Sequence, residues 1–64
     1  MKALPSTKER FALALMELLE SNSFERISVG DIVGLSGLSS RTLYNHFRDK
    51  NELLAYLYRI TVEP

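Results

Sequence analysis

Apolar residues recur at Phe11, Ala14, Leu15, Leu18 and Leu19, the spacing that puts side chains on one face of an α-helix. The stripe predicts a first helix over about residues 6–21, with Ser6 or Thr7 as N-cap and Glu9 in its first turn. Ser21, Asn22 and Ser23 interrupt the pattern. Asn22 or Ser23 is suited to the left-handed conformation that ends many helices, and Phe24 then returns to the core. A second helix is expected over about residues 28–36, because Ser28 and Asp31 have capping-box spacing and Ile27 and Ile32 can form a hydrophobic staple across it. Ile32, Leu35 and Val33 supply its apolar face, and Gly37 is placed to stop it. A third helix, about residues 39–46, begins at Ser39 as N-cap between Leu38 and Leu43, another staple pair, and turns Leu43 and Phe47 to one side. A fourth is expected from about residue 49 onward, to 62 or beyond: Asp49 and Glu52 form a carboxylate capping box, and Leu53, Leu54, Leu57 and Ile60 are its stripe.

These elements predict an all-α fold: a homeodomain-like three-helix domain containing a helix-turn-helix, followed by the start of a fourth, connecting helix. Tyr56, Tyr58 and Val62 give the last helix more apolar surface than one packed face needs, and Glu63-Pro64 follows without a glycine cap. That end is expected to be a cut in a longer helix.

The chain has 64 residues, enough for one small domain that buries about 60% of its unfolded surface. It has no cysteine and one histidine, which leaves no disulfide framework and no ordinary zinc site; no cofactor is expected. No apolar run reaches the roughly 18 residues of a membrane span and the start lacks a signal-peptide core, so a cytoplasmic protein without a membrane partner is expected. No nucleophile, base and cleft converge in the sequence, and an enzyme is not expected.

Net charge is zero, with 8 Lys plus Arg against 8 Asp plus Glu, and taken as a total this argues against nucleic acid. The distribution changes that picture. Between Leu38 and Lys50 the cations Arg41, Arg48 and Lys50 face only Asp49, whereas Glu17, Glu20, Glu25 and Asp31 lie together in the preceding half. One end of the domain is weakly basic, which suits DNA binding that depends on a second subunit or domain.

The third helix carries the candidate chemistry. With Leu43 and Phe47 turned inward, Ser40, Arg41, Thr42, Tyr44, Asn45 and His46 occupy its other faces. Hydroxyls, an amide, an imidazole and a guanidinium can touch phosphates and base edges, and the Glu/Lys pairs of an ordinary solvated helix are missing. Each residue also has a plainer reading: Thr42 as neutral surface, Tyr44 as a half-buried ring with its hydroxyl in water, His46 as a solvated histidine at the helix end and Lys50 as a solvated lysine. Tyr44 is favoured as a phosphate contact because Leu43 and Phe47 already serve the core, and Lys50 because it stands at the first position of the fourth helix. Arg41 suits a guanine edge or a phosphate, and the sequence leaves both open. A different class of function, a small helical module that binds protein through Tyr56, Tyr58 and Val62, is the alternative, and zero net charge is its best support.

The order of residues resembles the N-terminal DNA-binding domain of the tetracycline-repressor (TetR) family of bacterial regulators. The resemblance spans nearly the whole chain and rests on the Phe11 to Leu19 stripe, Phe24, Ile27-Ser28-Val29 with Asp31-Ile32, Ser36-Gly37-Leu38-Ser39, Thr42-Leu43-Tyr44 with His46-Phe47, and Lys50 with Leu53-Leu54. It implies a regulator, in most cases a repressor, that binds double-stranded DNA at palindromic operators as a homodimer. A further helical domain, not in this chain, would dimerise and take a small-molecule effector. It also implies roles at matching positions: Ser40, Arg41 and Thr42 at base edges or nearby backbone, and Ser28, Tyr44, His46 and Lys50 on phosphates. Three departures stand out. Gly30 occupies a position where relatives often carry a contacting side chain, so the second helix is expected to read no base from there. Ser23 replaces a usual glycine and Ser36 a usual alanine, both expected to be packing variations.

Overall fold

Serines start three of the four α-helices. The computed structural model describes residues 4–62; the expected end at Glu63-Pro64 lies outside them. Within them the chain forms α1 (Thr7–Leu19), a 3₁₀ turn (Phe24–Arg26), α2 (Val29–Ser36), α3 (Ser40–His46) and α4 (Lys50–Val62), with no strand among the described residues. Ser6 caps α1 by accepting from the Glu9 N–H while Glu9 accepts from the Ser6 N–H, and Ser28 and Asp31 repeat this reciprocal box at α2. Ser39 accepts from the Thr42 N–H at the start of α3. At α4, Asp49 Oδ1 accepts from the Glu52 N–H at 3.0 Å, but Glu52 does not close the expected box. Its carboxylate reaches one residue further back, to the Arg48 N–H at 3.1 Å and the Arg48 guanidinium at 3.4 Å.

The core forms where α1 meets α2, α3 and α4. Phe11, Leu15, Ile27, Ile32, Leu43 and Leu53 are fully buried, with Ala12, Ala14, Phe47 and Leu57 beside them. Both members of the Ile27–Ile32 staple are inside, and Leu38 packs half-buried against the cluster that holds Leu43. Phe47 leaves the helix with an extended backbone, and its N–H closes the last turn of α3 on the Leu43 carbonyl at 2.8 Å. Its ring meets Phe11 edge-to-face at 6.5 Å.

Four expectations are corrected. No left-handed residue ends α1, since Gly37 alone has positive φ among the described residues. The helix closes instead by tightening onto the Leu18 carbonyl, which accepts from the Ser21 and Asn22 N–H groups and the Asn22 side chain. Leu35 is 46% exposed, while Val29 joins Ile32 and Val33 in packing against the core. Ile60 is also exposed, so α4 buries only Leu53 and Leu57 fully and Leu54 in part. Tyr56, expected at the surface, is half-buried with its ring 5.6 Å from Phe47 and the Lys8 ammonium 4.9 Å above it.

The turn between α2 and α3 depends on two residues. Gly37 caps α2 at φ 75°, a left-handed conformation that costs an L side chain about 1–2 kcal/mol. Ser36 does more than pack: its hydroxyl donates to the Val33 carbonyl and accepts from the Leu38 N–H, each at 3.2 Å. Arg10 of α1 donates to the Ser36 carbonyl at 3.1 Å, tying the turn to the first helix.

Two predictions follow from the second helix. Gly37→Ala should destabilise the domain by about 1–2 kcal/mol, whereas Gly34→Ala, where an added Cβ meets nothing within 4 Å, should stabilise it by roughly 0.5–1 kcal/mol. Urea midpoints of the two variants should move in opposite directions. The capping box predicts a pH dependence: the Ser28 N–H, with the Ser28 hydroxyl assisting, holds the Asp31 carboxyl below the ordinary aspartate range. A depressed folded pKa contributes stability that is complete above the unfolded value, about 4, and is lost as pH falls through the folded one. Asp31→Asn should therefore be less stable than the parent at pH 7, with the gap closing towards pH 2. A gap that stays constant over that range would remove the carboxylate from the argument.

Candidate nucleic-acid interface

The position of α3 is set from below by Leu43 and Phe47, and that burial decides what its other residues face. Ser40, Arg41, Tyr44, Asn45 and His46 are all exposed, and Tyr44 keeps 54% of its surface in water. This is the outward set expected from the sequence, presented on a helix whose buried side leaves it little freedom to roll. Among the described residues the one ion pair is Arg48 with Glu52, so the Arg41 guanidinium carries no carboxylate partner. No side-chain hydrogen bond ties Ser40, Arg41, Tyr44 or His46 among the described residues.

Thr42 is placed differently. It is half-buried, and its hydroxyl lies 2.8 Å from Ser39 Oγ, so the two share a proton at the helix start. Either the Thr42 methyl group or the remaining lone pair can face a base, but the hydroxyl is already oriented. Ser28, at the exposed start of α2, has its oxygen accepting from the Asp31 N–H, and its hydroxyl proton can reach an outside acceptor.

Lys50 departs most from expectation. Its ammonium does not extend free into solvent: half-buried, the side chain donates to the carbonyls of Phe24 at 2.8 Å and Ile27 at 2.7 Å and sits 4.4 Å over the Phe24 ring. Two of its three N–H groups are therefore engaged within the fold, and one remains for an external acceptor. Nothing in the local sequence announces this, because the partners lie 23 and 26 residues earlier.

The structure also adds cations that sequence reasoning missed. A cleft of about 250 Å³ beside His46 is bordered by Lys8 of α1 and by Glu52 and Arg59 of α4, with Phe47 and Tyr56 as its aromatic walls. Lys8 lies in the first turn of α1, 38 positions before His46, and only the packing of α1 against α3 and α4 brings them together. With two cations against Glu52, the cleft adds one net positive charge to the count along α3, while Glu17, Glu20 and Glu25 remain exposed on other segments. Among the described residues no helix is long and apolar enough to cross a membrane.

Comparison with known proteins agrees with this geometry. Over 58 residues, 91% of this chain and 31% of the relative, the sequence is 34% identical to the HTH-type dhaKLM operon transcriptional activator DhaS of Lactococcus lactis subsp. lactis (strain IL1403). The chain therefore spans about a third of that regulator's length. Residues 13–57, from the middle of α1 into α4 and including all of α2 and α3, match the family described as bacterial regulatory proteins, tetR family. The fixed helix-turn-helix, its exposed polar helix and this match together establish that the chain belongs to the tetR family of bacterial regulators, as their N-terminal DNA-binding domain.

Proposed function

We propose that this domain binds DNA in a sequence-specific manner by laying α3 in the major groove, with Ser40, Arg41 and Thr42 towards base edges and Ser28, Tyr44 and His46 on flanking phosphates. The observation that carries the reading is the division of α3 into a buried pair, Leu43 and Phe47, and an exposed set of donors without partners among the described residues. Bidentate contact of a guanidinium with a guanine edge is worth about 1–3 kcal/mol of discrimination, enough for Arg41 to define one base pair. Phosphate contacts from Ser28, Tyr44 and His46 fix register on either side and carry no sequence information.

Two copies on a palindromic operator would double a small number of charged contacts, which suits a domain of zero net charge. Pairing of the copies and any small-molecule effector site belong, on this proposal, to a part of the regulator beyond this span. Acting on DNA places the protein in the bacterial cytoplasm. Repression is the outcome that needs nothing more than occupancy of a promoter; the named activity of the Lactococcus relative is activation, which requires a further contact with the transcription machinery.

A protein-binding module remains the second reading, favoured by the exposure of Tyr58 and Val62 at 62% and 74%. An NMR titration of the labelled domain with mixed-sequence duplex DNA at two salt concentrations separates the two. The expected result is amide shifts at Ser28 and Ser40 to Phe47 that weaken steeply with salt. Unmoved α3 amides in a spectrum that stays dispersed would end the DNA reading and direct attention to Tyr58 and Val62. A second prediction concerns specificity. Selection from a randomised duplex pool should show Arg41→Ala losing preference at one base pair, by about 1–3 kcal/mol, and Tyr44→Phe losing affinity evenly across sequences. An even loss for Arg41→Ala would assign it to a phosphate.

A further inference from the structure

Lys50 and Asp31 are 19 positions apart and are joined through one peptide group. The Lys50 ammonium donates to the Ile27 carbonyl at 2.7 Å; the same peptide carries the Ser28 N–H, which donates to Asp31 Oδ2 at 2.9 Å. A cation on the oxygen side and an anion on the hydrogen side polarise that peptide in the same sense, so each bond strengthens the other. The second bond from Lys50, to the Phe24 carbonyl at 2.8 Å, and its seat over the Phe24 ring fix the direction of approach. The 3₁₀ turn Phe24–Arg26 is thereby held between the first residue of α4 and the start of α2.

We propose that Lys50 is a positioning residue for DNA binding, a clamp that orients Ser28 and the start of α2 through the Ile27–Ser28 peptide, and that its ammonium is held by these carbonyls instead of by a phosphate. The proposal rests on the DNA-binding reading above. It makes the register between α2 and the first turn of α4 depend on one ammonium group, so a displacement of the start of α4 is passed to Ser28 directly. Ser28 is neutral, and its contact with a phosphate releases no counterion. A clamp and a phosphate contact therefore differ in the salt dependence that they predict.

The test compares the parent with Lys50→Met, which keeps the stem over Phe24 and removes the donors, in binding to one duplex over a range of salt. The clamp predicts roughly tenfold weaker binding, the worth of one charge-assisted hydrogen bond, with an unchanged slope of log K against log salt. It also predicts amide shifts at Phe24 to Asp31 in the free protein. Combined with Ser28→Ala, the two losses should be strongly non-additive, whereas a general weakening of the fold leaves them additive. A slope flattened by about one, with Phe24 to Asp31 unmoved, would overturn the clamp and return Lys50 to the phosphate. Should Lys50→Met fail to fold, the unmodified protein decides: scalar couplings from Lys50 Nζ to the Phe24 and Ile27 carbonyl carbons should persist when DNA is bound, and their replacement by coupling to phosphorus would refute the proposal. Failure of the DNA reading itself is separate, because it shows as motionless α3 amides in parent and variant alike.

Discussion

A helix of seven residues does not persist in water, where nucleation costs more than two turns of hydrogen bonds return. That α3 exists at all depends on Leu43 and Phe47, which lie at 0% and 4% exposure against Phe11, Leu15 and Leu53. Full burial of side chains of this size contributes on the order of 1.5–3 kcal/mol each, several times what α3 could supply from its own backbone. The same two contacts fix the rotation of the helix about its axis, so they also decide which residues meet a partner. Stability and recognition are thus set by one pair of side chains, and the exposed positions can vary without endangering the fold.

The polar groups at this end of the domain have two tasks. Ser28, Ser39 and Thr42 give oxygens to helix starts, and Lys50 gives protons to the carbonyls before α2. Ser28 and Thr42 still have something left over: a rotatable hydroxyl proton at Ser28 and a lone pair at Thr42. Groups already held by the fold lose little side-chain freedom on meeting DNA, and this offsets part of the cost of association. Arg41, Tyr44 and His46 are the opposite case, since they are exposed and hold no hydrogen-bond or ion-pair partner among the described residues.

What the sequence made legible divides along the same line. Caps and staples are local, and Ser28 with Asp31, Ser39 and Gly37 could be read because their partners lie within four residues, while at α1 the choice between Ser6 and Thr7 stayed open until the Ser6–Glu9 box was seen. The face of α3 was readable because Leu43 and Phe47 are four apart. Long-range contacts were not. The Lys50 clamp, the Arg10 bond to Ser36 and the stacking of Lys8 over Tyr56 join residues more than 20 positions apart, and no spacing rule reports them. The errors within reach of local rules were errors of face or of capping geometry: Leu35 and Ile60 turned out, Glu52 reached past Asp49, and Asn22 capped a carbonyl with its side chain without adopting a left-handed backbone.

Zero net charge is the feature that composition alone would set against nucleic acid, and the fold shows how it loses its force. Counterion release depends on cations that reach phosphates, not on the sum over the chain. The exposed acids Glu17, Glu20 and Glu25 stand at the end of α1 and in the 3₁₀ turn, whereas Lys8 and Arg59 border the cleft beside His46, with Glu52 as its one acid, and Arg41 is exposed on α3. At physiological salt, charges more than about 8 Å apart in solvent are largely screened from one another, so the acidic segments subtract little from the attraction at the basic end. They still lower the long-range field of the whole domain, which reduces binding to arbitrary DNA more than binding at a site that also offers base contacts. For a reader of sequence, a neutral domain with its charges separated in this way favours the ratio of specific to non-specific affinity over the absolute strength of either.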